Sequence, residues 1–106
     1  MLVADPGNIR AVLRFLNAFR PDAIVAWNDI GAVRLRETLF RIGGGAEKIR
    51  LAGFDDVAVA EKAGITTVRQ PLDDLASTAL QTLISRIKSP DLPPRTIMLH
   101  APLIVR

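Results

Sequence analysis

The sequence predicts an α/β domain built on a mainly parallel sheet. Helical and strand-like segments alternate along the chain, and the two clearest strand-like runs are short and largely apolar. Each of those runs ends in a polar pair that is followed by a helical pattern. Runs of this kind suit strands covered on both faces, as in parallel sheets. With 106 residues, 49% of them hydrophobic and 24% charged, the chain amounts to one domain or part of one, with enough apolar material for a packed core.

Taken in order, Asp5-Pro6 opens the first helix, with Asp5 as the cap and Pro6 suited to the first turn. Ile9, Val12, Leu13, Leu16 and Phe19 then recur at helical spacing, and Pro21 ends the pattern. Ala23 to Trp27 is the first strand. Asp29 is read as the cap of a second helix through about Ile42, which Gly43-Gly44-Gly45 stops because glycine accepts the left-handed backbone most easily. Ile49 to Phe54 is the second strand, Val57 to Lys62 a short helix with Asp56 as its cap, and Thr66 to Arg69 a brief extended segment. Leu72 to Lys88 is the strongest helix, with Leu72, Leu75, Ala76, Ala79, Leu80, Leu83, Ile84 and Ile87 on one wide apolar stripe and Asp73-Asp74 favouring its N-terminal dipole. Ser89 to Pro94 is a proline-rich loop, and Arg95 to His100 and Leu103 to Val105 are read as closing strands.

Composition narrows the chemistry. There are no cysteines, so disulfides, thiolate metal sites and cysteine nucleophiles are excluded. The single histidine, His100, sits in a strand-like stretch without a carboxylate cluster and is read as neither ligand nor base. The net charge is +3, but the 14 lysines and arginines are scattered singly, which reads as a solvated surface and not as a nucleic-acid face. No stretch is long enough to span a bilayer, and Met1 to Asp5 lacks the marks of a secretory signal, so a cytoplasmic protein is expected. No Gly-x-Gly-x-x-Gly, Walker or Gly-x-Ser-x-Gly motif is present; the triple glycine follows a helix instead of preceding one. No catalytic residue, metal or cofactor is therefore assigned.

Ligands of open parallel sheets bind beyond the carboxyl ends of the strands. Those ends carry Trp27-Asn28-Asp29 and Phe54-Asp55-Asp56. If the two strands are neighbours, Asn28 and Asp55 meet at one rim, where an amide beside a carboxylate offers donors and acceptors for hydroxyl groups. With the capping roles given to Asp29 and Asp56, Asn28 and Asp55 are the candidate ligand contacts. Trp27 and Phe54 are open between core or interface packing and stacking on an apolar ligand face.

The segments Pro21 to Asp29, Leu51 to Asp56 and Thr66-Thr67-Val68-Arg69-Gln70-Pro71, with Pro93-Pro94-Arg95 and the closing Leu103 to Arg106, resemble in order and spacing the signature segments of the lac/gal repressor family (LacI/GalR). The resemblance implies a three-layer, type I periplasmic-binding-protein-like effector domain, whose two lobes close over a small molecule, often a sugar. It implies effector contacts at Asn28, Asp55 and Gln70, with Trp27 and Phe54 beside them. It places 1–69 and 100–106 in the C-terminal lobe and 71–99, with the long crossover helix, in the N-terminal lobe. It implies a homodimer or a domain-swapped assembly, and DNA contact only through a headpiece this chain does not contain. An exported sugar-binding protein of a transporter is the alternative; Asp55-Asp56 and Thr66 to Pro71 favour the regulator.

The chain is expected to depart from the family pattern in lacking the DNA-binding headpiece and the first half of the effector domain, and it departs at Gly43 to Lys48 and in its large Trp27. A piece of this extent is expected to bind effector weakly and to leave the Leu72–Lys88 stripe exposed, a condition that drives association.

Overall fold

A computed structural model describes residues 5–106. The reading of Met1 to Ala4 lies outside them. The chain forms α1 (Ile9–Phe19), β1 (Ala23–Val25), α2 (Asp29–Ile42), a single 3-10 turn (Ala46–Lys48), β2 (Arg50–Ala52), α3 (Ala58–Lys62), β3 (Thr67–Val68), α4 (Leu72–Lys88) and β4 (Leu103–Ile104). The alternation and the α4 bounds match the sequence expectation, while the strands are shorter than expected.

β1 and β2 pair in parallel, with Ile24 opposite Leu51. A parallel bridge from Ala52 to Thr66 carries the array on to β3, and β4 pairs antiparallel with β3, with Val68 opposite Leu103. The carboxyl ends of β1, β2 and β3 thus lie side by side.

The core is small and centred on α2. Ala32, Leu35 and Leu39 of that helix meet Val12 of α1, Leu51 of β2, Ala60 of α3 and Ile65 before β3. Thr38, also buried, ties the entry of α1 to α2 through its hydroxyl, which donates to the Pro6 carbonyl at 2.7 Å. The Arg36 guanidinium donates to the Ala63 carbonyl at the end of α3, a cation at a helix C-terminus where the dipole favours it. Gly43, Gly44 and Gly45 all have positive φ, at 65°, 66° and 99°, which is the conformation expected of a glycine stop after α2.

Several local expectations are corrected. Asn8, not Asp5, caps α1, accepting from the Ala11 amide at 3.1 Å; Asp5 instead closes a turn onto the Gly7 amide. Both residue types cap helices, and the helix begins three residues later than Pro6 suggested. β1 is not covered on both faces, since Val25 is 80% exposed. Residues 95–100 form no strand, because no strand lies beside them among the described residues to complete a ladder. α4 buries none of its residues: Leu72, Leu80, Leu83 and Ile87 are 65%, 58%, 56% and 69% exposed. The exposed stripe expected of α4 is therefore present, and the molecule is elongated, at 60 × 26 × 19 Å.

Candidate functional site

The loops that follow β1 and β2 are joined at one rim. The Ala26 amide donates to the Ala52 carbonyl at 2.8 Å, and the Asp29 amide to the Phe54 carbonyl at 2.9 Å. The Asp55 amide continues this ladder to the Val68 carbonyl at 3.0 Å. These bonds bring the Asn28 and Asp55 segments together, as the neighbouring-strand expectation required.

Within each pair, however, the roles differ from the sequence reading. Asn28 caps α2, its Oδ1 accepting from the Gly31 amide at 2.8 Å. Its Nδ2 donates to nothing among the described residues, so the amide keeps donors for a ligand. Asp29 is fully buried and serves no cap of its own helix. Its Oδ1 accepts from the Thr67 hydroxyl at 2.6 Å, and its Oδ2 from the Val57 amide at 2.9 Å. Asp29 thereby satisfies the amide that opens α3 from across the sheet. Asp56, expected to cap α3, does not; the cap position is Val57, without a side-chain bond.

Asp56 turns to two arginines instead. Its Oδ2 accepts from Arg69 Nε at 2.5 Å and its Oδ1 from Arg106 Nη2 at 2.7 Å. The Arg69 hydrogen bond, then that of Arg106, hold the Asp56 carboxyl below the usual carboxylate range against an opposing desolvation effect. A depressed carboxyl stabilises the fold fully above its unfolded pKa of about 3.9, and that contribution is lost as pH falls from there through the folded value. Stability of the chain should accordingly decline with acidification below about pH 4, and Asp56→Asn should flatten that decline in chemical-denaturation curves taken across pH. An unchanged slope in the variant would show that the pair does not couple to folding.

Asp55 accepts from Gln70 Nε2 at 2.6 Å, so the fold joins two of the sequence-predicted contacts directly. Trp27 is 66% exposed, which removes the core reading. Its ring lies along Gly31, where an added Cβ would stand 3.7 Å from the indole. Phe54 is partly exposed, at 38%. The rim thus presents amide donors from Asn28, the Asp55–Gln70 acceptor and donor pair, and two apolar ring faces. Such a set suits a neutral polyhydroxylated molecule. A cleft of about 540 Å³ lies elsewhere, between α4 and the proline-rich loop. Its arginines are engaged there, Arg86 with the Leu92 carbonyl and Arg95 with the Thr82 hydroxyl, and it holds none of the predicted contacts.

The sequence reading missed Thr67, Arg69 and Arg106, and mistook Asp29 for a cap. Their partners lie 11 to 50 residues away along the chain, so no local pattern signals them. Among the described residues no group of His, Asp and Glu side chains is arranged to hold a metal ion, and no helix is long and apolar enough to cross a membrane.

The family model for a periplasmic binding protein-like domain matches residues 3–106. The chain belongs to that family. It is 32% identical to the HTH-type transcriptional regulator KdgR of Bacillus subtilis (strain 168), over 98% of this chain and 32% of that protein. It is also 32% identical to the ribose operon repressor of Escherichia coli (strain K12), over 82% of this chain and 27% of the relative. The chain therefore spans about a third or less of the length of these curated relatives. A solved structure from Sanguibacter keddieii DSM 10542, assigned to the LacI family of transcriptional regulators, superposes with a TM-score of 0.75 at 31% identity, covering 98% of this chain and 41% of that one. A transcriptional regulator CelR–cellobiose complex superposes with a TM-score of 0.77 at 26% identity, over 92% of this chain and 31% of that one. The α/β fold class and the resemblance to lac/gal repressors drawn from the motifs are borne out.

Proposed function

We propose that this chain is the effector-binding module of a bacterial DNA-binding transcriptional regulator, and that its effector is sugar-like. The observation that carries the reading is the rim where Asp55, held by Gln70, stands beside the capping Asn28 with the exposed Trp27 next to it. The regulators and repressors among its relatives support it, as does the cellobiose complex among its structural neighbours. They do not favour an exported sugar-binding protein. Asn28, Asp55 and Gln70 hydrogen-bond the effector hydroxyls, and Trp27 and Phe54 stack on its apolar face. DNA is contacted through a headpiece outside this chain, the protein works in the cytoplasm, and it has no catalytic role.

We further assign 1–69 and 100–106 to one lobe and 71–99 to the other. The crossover begins at Gln70, so the lobe junction lies at the proposed contact. The exposed α4 stripe is assigned to self-association, as a homodimer or a domain-swapped oligomer.

The test is NMR titration of the chain with ribose and with cellobiose at millimolar concentration. Shifts should concentrate at Trp27, Asn28, Asp55 and Gln70. Asp55→Ala removes a charged acceptor and should weaken binding by about ten- to a hundredfold, the ordinary size of a hydrogen bond to a charged group. Shifts confined to other residues, or none with either sugar, would sink the sugar reading.

A further inference from the structure

Resting on that reading, we infer that Asp29 is the positioning residue of the site: it anchors the Asp55–Asp56 turn and so fixes where Asp55 faces the effector. Asp55 and Asp56 both have positive φ, 106° and 57°. Residues with a Cβ avoid that region, and such a conformation persists only where surrounding bonds over-determine it.

Asp29 is the point on which those bonds converge. Its amide holds the Phe54 carbonyl just before the turn. Its Oδ2 holds the Val57 amide just after it. Its Oδ1 accepts from the Thr67 hydroxyl, whose oxygen in turn accepts from the Asp56 amide at 3.3 Å inside the turn. Three points around the turn, at Phe54, Asp56 and Val57, are thus referred to one buried residue, the last two through its carboxylate. That carboxylate is adjacent in sequence to Asn28, so a single anchor sets both proposed contacts relative to each other. Gly53 makes the approach possible: a Cβ there would stand 2.2 Å from Asp29 Oδ1.

Both oxygens of Asp29 accept, one from the Val57 amide and one from the Thr67 hydroxyl. An asparagine can keep both tethers by turning its NH2 to the Thr67 hydroxyl, whose oxygen accepts as well as donates, so Asp29→Ala is the change that removes them.

The test is residue-resolved amide hydrogen exchange on the chain, comparing wild type with Asp29→Ala, Thr67→Val and Thr67→Ser. Asp29→Ala should lose protection at Val57, and Thr67→Val at Asp56, by about tenfold or more, while amides in α1 and at the centre of α2 keep theirs. Thr67→Ser keeps the hydroxyl and should keep the wild-type pattern. Unchanged protection at Val57 in Asp29→Ala, or a uniform loss across the whole domain, would overturn the inference; the uniform loss would mean an ordinary structural role. If Asp29→Ala does not fold, Thr67→Val cuts the same network at one bond, and unchanged protection at Asp56 in it would overturn the inference. Cellobiose titration separates the two levels. Wild-type affinity in Asp55→Asn would remove the effector reading, whereas the exchange pattern decides the anchoring by itself.

Discussion

Replacing Gly53 with alanine is expected to destabilise the chain by about 3 kcal/mol or more, at the upper end of what overpacking usually costs. The added Cβ would stand 2.9 Å from Asp29 Cα and 3.1 Å from its backbone nitrogen, as well as 2.2 Å from its carboxylate. The obstacle is therefore the backbone at the start of α2, not the free end of a flexible side chain. For the methyl group to fit, α2 must withdraw from β2. That strains the Asp29–Phe54 backbone bond and both carboxylate bonds, to Val57 and Thr67. Small domains are stable by only about 5–15 kcal/mol, so the loss is a large share of the total. The melting temperature should fall by more than about 10 °C, at roughly 4–8 °C per kcal/mol for a domain near this size. Gly44→Ala is the control. Nothing lies within 4 Å of its added Cβ, and only its φ of 66° opposes the change, at a cost of about 1–2 kcal/mol. Melting followed by circular dichroism checks both. If Gly53→Ala melts as high as Gly44→Ala, the close approach of Asp29 is not the constraint described.

Charging the α4 stripe is expected to abolish self-association. Leu80 and Leu83 lie on the exposed apolar face with Leu72 and Ile87, and none of these side chains is covered. Fully burying one such side chain contributes about 1.5–3 kcal/mol, so four on each of two copies give about 12–24 kcal/mol before the cost of association. That cost is about 4–15 kcal/mol, which places assembly within reach of ordinary protein concentrations. Leu80→Glu with Leu83→Glu keeps good helix formers but puts unpaired carboxylates in the interface, where burial is strongly unfavourable. Light scattering behind size exclusion should show a wild-type dimer and a monomeric double variant of unchanged helix content. A wild-type chain that elutes as a clean monomer across concentrations would defeat the proposal.

How far the site was legible depended on the range of the interactions. Helix α4 could be bounded from sequence because a long apolar period and an acidic first turn are both local signals. The Arg95 to His100 strand failed for the opposite reason: its residues have a strand-like pattern, yet a strand exists only through a partner. At the rim, both loops could be found because each polar pair follows an apolar run. Assigning the two members of each pair could not be done locally. Asn and Asp cap helices about equally well, so Asn28-Asp29 is ambiguous until Thr67 and Val57 come within reach of Asp29.

The order of elements, the family, the polar pair at each of two strand ends and the exposed stripe of α4 were all determined by the sequence itself, because periodicity and motif spacing are properties of neighbours in the chain. The tertiary structure alone decided that Asn28 is the cap, that Asp29 is the buried anchor, and that Asp56 pairs with Arg69 and Arg106 instead of opening α3. Those bonds join residues up to 50 positions apart, and a buried carboxylate takes whichever donors the folded backbone delivers to it.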